Sequence, residues 1–212
     1  MDFLEFGDPG ADVVMVQPVD EHDLSRIKEE IKVIRELTDT PFRLIAAQVT
    51  DWNRDLSPWE APAVFGSEAF GDGAAGTLDG ILKQCGDPDR TYCIGGYSLA
   101  GLFALWAAFR TDRFAGAAAA SPSVWFPGFA EYMRTSDIKC GAVYLSLGTR
   151  EEKTNNRVMA AVGDRIREAH ELLRDRGIAC TLEWNPGNHF RDAELRTAKA
   201  FAWTVNRIKK QV

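Results

Sequence analysis

The stretch Ile94-Gly95-Gly96-Tyr97-Ser98-Leu99-Ala100-Gly101 decides how this chain reads. A serine stands between a short apolar run beginning at Tyr92 and an apolar helical segment, Leu99 to Arg110, with small residues two before it and two after. A turn this tight strains the serine backbone and needs small side chains at Gly96 and Ala100 so that strand and helix can approach. The gain is chemical. Ser98 projects its hydroxyl clear of the sheet at a helix N-terminus, where backbone N–H groups stabilise a developing oxyanion, the N–H of Leu99 being the first donor. A serine here can also merely cap the helix, and the last small residue is Ala100 rather than glycine. The surrounding chain has to decide between the two.

Working outward, strand-like and helical runs alternate. Val13 to Val16 is a β-branched run, followed by a helical segment with Leu24, Ile27, Ile31 and Ile34 at three- and four-residue spacing and Arg26, Lys28, Glu29, Glu30 and Lys32 between them. Pro41 opens a second strand, Phe42 to Val49; Thr77 to Cys85 reads as a short helix; Tyr92 to Gly96 is the third strand. Phe114 to Ala120, Ala142 to Leu147 and Ala179 to Trp184 follow as strands. Between the last two lies an amphipathic helix, Arg157 to Arg176, with Gly177 at its C-cap, and Leu195, Ala198, Ala202 and Val205 line a final helix. The expectation is an α/β fold: a three-layer α/β/α sandwich on a six-stranded, mainly parallel sheet, one domain over residues 1–212, with Ser98 on the third and central strand. Only Ser121 to Pro127 separates the fourth strand from the next element, too little for a cap domain.

The segment Thr50 to Gly76 breaks the regularity. It carries Trp52, Trp59, Phe65 and Phe70 without a period, and it leaves a strand's carboxyl end, where ligands bind in parallel α/β sheets. It reads either as a roof over a site or as a surface loop packed on its own aromatics. Trp52, Trp59 and Trp125 are the candidate substrate-binding side chains; flat indoles suit aromatic acyl groups or sugar rings and equally serve as packing.

Composition limits the function classes. The 212 residues carry 25 basic and 31 acidic side chains, a formal charge of −6, which argues against a nucleic-acid or anionic-membrane partner. No apolar run is long enough to span a bilayer, and Met1 to Glu5 shows no export signal. Cys85, Cys93, Cys140 and Cys180 form no C-x-x-C pair and read as buried small hydrophobes in a reducing, cytoplasmic setting. No cofactor or metal is expected, since the acidic run Asp20-Glu21-His22-Asp23 is better explained as the start of a helix.

A serine hydroxyl needs a neighbouring imidazole to attack at neutral pH. Of the three histidines, His170 lies inside an amphipathic helix, and His22 follows the first strand and stays open as an alternative. His189 sits in the turn-rich loop Asn185-Pro186-Gly187-Asn188-His189 after the last strand, free to fold back across the strand ends. The imidazole in turn needs a carboxylate. The loop Gly148-Thr149-Arg150-Glu151-Glu152-Lys153 supplies it, with Glu151 preferred and Glu152 its alternative. The order Ser98, Glu151, His189 is that of α/β-hydrolases.

These residues resemble that fold family, and more narrowly the esterase branch with esterase D, feruloyl esterases, siderophore-ester hydrolases and mycolyl transferases. The resemblance rests on Gly96 to Gly101, on Ser121-Pro122-Ser123-Val124-Trp125, on Gly148-x-x-Glu151 and on Gly187-Asn188-His189. It implies Glu151 as the acid. It also implies two strands before Val13, for which the chain has no room, and a second oxyanion donor in the loop after the first core strand. That loop reads Gln17-Pro18-Val19-Asp20. Proline has no N–H, so Val19, or Asp20, must donate.

The expected function is a serine hydrolase acting on a small soluble ester or thioester through an acyl-serine intermediate. The alternatives are an acyltransferase and a catalytically weak, hydrolase-like binding protein, the latter motivated by the acidic residues beside Gln17-Pro18. Acyl group, leaving group and oligomeric state are left open by the sequence.

Overall fold

The structure is a computed structural model that describes residues 1–64 and 66–208. Phe65, one of the aromatics of the long loop, lies outside the described residues. The parallel strands β2 (Val13–Val19), β3 (Phe42–Gln48), β4 (Thr91–Tyr97), β5 (Phe114–Ala120), β6 (Ala142–Gly148) and β7 (Ala179–Asn185) follow the expected runs. A seventh strand, β1 (Asp2–Gly7), precedes them, so the sheet has seven strands rather than six. It pairs antiparallel with β3 at the edge, from Asp2↔Gln48 to Gly7↔Arg43. Its sequence Asp-Phe-Leu-Glu-Phe-Gly hides it, because an edge strand with one solvated face shows no continuous apolar run. The chain therefore does have room for one strand ahead of Val13. The order is β1-β3-β2-β4-β5-β6-β7, which makes β4 the middle strand.

Two apolar layers cover the sheet, and strand alternation sorts the side chains between them. Val14, Val16, Ile94, Ala117, Ala119, Val143 and Leu145 face α3 (Ala74–Leu82), α4 (Ser98–Arg110), α5 (Phe129–Thr135) and α7 (Val162–Asp175). Val13, Met15, Cys93, Ala118, Ala120 and Tyr144 face α1 (Glu21–Leu37) and α8 (Ala193–Ile208). On α1 the row Ile27, Ile31, Ile34 is buried, each side chain contributing about 1.5–3 kcal/mol by leaving water. Asp20 and Asp23 close a capping box at its start.

The middle of the sheet is thin. A Cβ on Gly95 would lie 2.6 Å from the Phe201 ring and 2.8 Å from Cβ of Ala118, and one on Gly116 would lie 2.6 Å from Thr204. The alanines of β5 continue that floor, so α8 rests almost on the backbone.

Several element bounds differ from expectation. The third helix starts at Ala74 instead of Thr77. The helix expected over residues 157–176 is two, α6 (Arg157–Ala160) and α7, because Asn156 caps the short first turn and the backbone restarts at Ala161. The segment 50–76 contains α2 (Trp52–Asp55) and a bridge between Ala61 and Phe70. Leu195, expected on the inner stripe of the last helix, is exposed, and its neighbour Arg196 is buried. All four cysteines are free; Cys85, Cys93 and Cys140 are buried, which pushes each thiol up to about 12, and Cys180 is half-buried. Among the described residues no helix is long and apolar enough to cross a membrane.

Candidate active site

Strand β4 ends at Tyr97, and Ser98 opens α4 with a φ of +57°, in the left-handed region that a residue with a Cβ avoids. That conformation reverses the chain within one residue. Small neighbours make it possible: a Cβ on Gly96 would sit 2.6 Å from Cβ of Ala100, and one on Gly101 would sit 3.0 Å from the carbonyl of Ala120. The Ser123 N–H donates to the Ser98 carbonyl at 3.0 Å, tying the turn to the chain after β5.

The loops after β6 and β7 bring two more side chains to the same rim. His189 Nε2 lies 2.9 Å from Ser98 Oγ, and its Nδ1 lies 2.7 Å from Glu151 Oε2. Backbone bonds tie the two loops together, Thr149 N–H to the Asn185 carbonyl at 2.8 Å and Arg150 N–H to the Gly187 carbonyl at 3.0 Å. The Tyr97 hydroxyl donates to the His189 carbonyl at 2.7 Å and so fastens the imidazole's own backbone to the strand that carries the serine.

Glu151 is 5% exposed along its side chain. Its Oε1 accepts from the Gly148 N–H at 2.7 Å, the Ser121 hydroxyl at 2.9 Å and Arg196 Nη1 at 2.9 Å. Burial alone raises a carboxyl, but the His189 ring, the Gly148 N–H and the Ser121 hydroxyl outweigh it and hold Glu151 below the usual carboxylate range. Glu152 turns the other way and pairs with Arg167 at 3.2 Å. Of the two candidate carboxylates, Glu151 is the one joined to the imidazole. His170 lies on α7, and His22, in the first turn of α1, borders a separate polar pocket with Gln17, Asp23, Arg26 and Glu30.

Of the two expected oxyanion donors, Leu99 adjoins Ser98 and Val19 closes β2. Leu99 lies in the first turn of α4, where backbone N–H groups have no helical partner. On the other side β2 pairs with β4 only as far as Val16↔Ile94, and beyond it the two strands part. Pro18 falls past that point, where its missing N–H breaks no bond to β4. The Asp20 N–H faces the Asp23 carboxylate at 3.5 Å within the capping box. Val19, in parallel register with Gln48 and accepting from the Val49 N–H at 3.0 Å, turns its own N–H toward β3 as well, so the expected Val19 donor is not aimed at Ser98.

A cavity of about 390 Å³ opens beside Ser98 and His189. Its apolar walls are Pro122, Trp125, Met159, Val162 and Phe190, and its hydroxyls are those of Ser98, Ser121 and Ser123. Trp125 thus stands at the site. Trp59 does not: its indole N–H donates to the Pro127 carbonyl at 2.8 Å, and its ring packs on Phe126 and Tyr132. Trp52 packs against the core from α2 and is not among the cavity walls. Phe190, next to the imidazole, is 90% exposed at the mouth.

The residue that sequence reasoning missed is Arg196. It is 1% exposed and reaches Glu151, Tyr97 and Ser121 through Nη1, and the carbonyls of Pro186 and Asn188 through Nη2. The available signal was its place at the head of the four-residue row Arg196, Ala200, Thr204, Ile208, all buried in the structure.

No protein-family model matches the chain, and no curated protein sequence matches it. Solved structures do. An IroE-like serine hydrolase from Shewanella oneidensis superposes with a TM-score of 0.75 at 16% identity, over 95% of this chain and 74% of that one. The siderophore hydrolase EstA from Aspergillus nidulans gives 0.64 at 19% identity, over 97% and 86%. Zea mays acyl-protein thioesterase 2 gives 0.59 at 15% identity, over 98% and 99%. At these identities the likeness speaks to architecture, and the architecture is that of the α/β-hydrolase fold.

Proposed function

We propose that the protein is a serine hydrolase that cleaves a carboxylic ester or thioester through an acyl-serine intermediate. The observation that carries this reading is the unbroken hydrogen-bonded line from Ser98 Oγ through the His189 ring to Glu151, anchored at a left-handed serine. In it Ser98 Oγ attacks the acyl carbonyl carbon while His189 Nε2 takes its proton, and Glu151 steadies the resulting imidazolium through Nδ1. The tetrahedral oxyanion lies against the Leu99 N–H at the start of α4. The imidazolium then returns the proton to the departing alkoxide or thiolate, and water, deprotonated by the same ring, releases the acid from Ser98. The names of the similar structures, serine hydrolase, siderophore hydrolase and thioesterase, accord with this chemistry.

The cavity narrows the substrate. Among the described residues that line it, Glu151 and His189 are the titratable ones and the rest are apolar or hydroxyl-bearing, so the arm of the ester that fills it is uncharged. Free thiols fit work in a reducing compartment such as the cytoplasm. A fluorophosphonate probe is expected to label the wild-type protein at Ser98, and Ser98→Ala to lose both labelling and the hydrolysis of short aryl esters. Absence of labelling on folded wild-type protein would remove the proposal. Adding an alcohol acceptor separates hydrolysis from acyl transfer, since a transferase forms the new ester in preference to the free acid.

A further inference from the structure

We infer that Arg196 is a positioning residue for this hydrolysis: one buried guanidinium, held on α8, sets the carboxylate of Glu151 and the loop of His189 in a single mutual geometry. The inference rests on the hydrolase reading and adds a part to it. Nη1 donates to Glu151 Oε1 at 2.9 Å and lies 3.0 Å from the Tyr97 hydroxyl oxygen and 3.3 Å from that of Ser121. Nη2 donates to the Pro186 and Asn188 carbonyls at 3.1 and 3.0 Å, on the loop that ends in His189. The chain ends of β4, β5, β6 and β7 therefore converge on one planar group.

Chemistry explains why arginine suits this place. A fork of fixed N–H directions meets a carboxylate oxygen on one arm and two carbonyls on the other, which a point-like ammonium cannot do at once. With Oε1 engaged by Arg196, Ser121 and Gly148, the carboxylate cannot rotate, and Oε2 is the oxygen left to face Nδ1. The charge matters as well. Glu151 and Arg196 are 5% and 1% exposed, and either alone would be an uncompensated charge out of water. Arg196 acts through Glu151 and the His189 loop, and not on Ser98 Oγ itself.

A double-mutant cycle tests this on aryl acetate hydrolysis. Arg196→Met is expected to lower kcat by about 10- to 100-fold, the scale of a catalytic group displaced by about 1 Å, with KM little changed. Arg196→Lys, which keeps the charge without the fork, should recover part of that loss. The variant carrying both Glu151→Gln and Arg196→Met should lose less than the product of the two single losses, because only the part of the Arg196 effect that runs through the His189 loop remains to be lost. A double variant slower than Glu151→Gln by the whole factor of Arg196→Met would overturn the inference, as would wild-type kcat in Arg196→Met. Should Arg196→Met fail to fold, Arg196→Lys made in the wild type and in the Glu151→Gln background decides: a smaller loss in the Glu151→Gln background supports the inference and an equal loss overturns it. Loss of turnover in Ser98→Ala checks the hydrolase reading separately.

Discussion

Two buried glutamates stand on opposite sides of Ser98, and they behave in opposite ways. Glu151 is ringed by donors, and its carboxyl is held below the usual range in spite of burial. Glu30, on α1, is buried as a whole residue and, among the described residues, meets one side-chain donor, the Gln17 amide at 3.3 Å. Its Oε1 and the Oε1 of Gln17 have no hydrogen-bond partner among the described residues. Burial therefore dominates, Asp23 and Glu194 add like charge, and the Glu30 carboxyl rises to about 8. Burial is common to both; the number of donors aimed at the oxygens decides whether a carboxylate or a carboxylic acid results. The β6–β7 side of the site is built to hold a charge, and the β2 side is built around a proton.

The sharpest way to break this contrast is to remove each charge in turn. Glu151→Gln keeps the shape but offers the wrong group to Nδ1, and kcat should fall by about 10³- to 10⁴-fold, as expected for a triad acid replaced by its amide. Glu30→Gln should leave turnover near wild type in the same assay. A comparable loss from both would mean that the two sides do the same work.

A smaller effect concerns the cavity on the charged side. Phe190 lies over its mouth, largely in solvent, and an apolar substrate arm would cover it. Phe190→Ser should lower kcat/KM for hexanoyl or octanoyl esters by about tenfold, the worth of roughly two methylenes' burial, and leave acetate hydrolysis unchanged. Running the same series on the alcohol side shows which arm the cavity takes. A loss equal for acetate and octanoate would place Phe190 outside substrate binding.

The smallest effect is thermodynamic. Glu30 binds its proton more tightly when folded than an exposed carboxyl does, so between about pH 4.5 and 8 the folded state holds more protons than the unfolded one. Stability from this residue is full below that window and declines as pH rises through it. Glu30→Gln cannot ionise. Its melting temperature should match wild type near pH 4 and exceed it by a growing margin toward pH 9, followed by scanning calorimetry. A constant difference across the range would mean that Glu30 is not a buried acid.

The parts of the molecule visible in the chain are those with local causes. The alternating strands and helices, the turn at Ser98 and the loops bearing Glu151 and His189 follow from periodicity, small residues and turn chemistry. Edge strand β1 was hidden because its alternation is short and carries charge, and the break at Ala161 because α6 and α7 together keep one amphipathic period. Glu30 and Arg196 escaped for a different reason. Each is a charged residue on a helix whose burial depends on partners far away in sequence, Gln17 for one and Glu151 with Tyr97 for the other. Trp59 and Trp125 are both aromatic residues near strand ends, and the Pro127 carbonyl together with the packing of Phe126 and Tyr132 draws Trp59 away from the cavity.

The alanine and glycine floor beneath α8 limits how this chain can diverge. A larger residue at Gly95 or Gly116 has nowhere to go unless the helix lifts, and lifting it would carry Arg196 away from four loops at once. Neutral drift is thus shut out of the middle strands and forced onto the rim and edges, where cavity walls and mouth residues can be exchanged one at a time. A lineage built on this plan can change what it accepts long before it can change what it does.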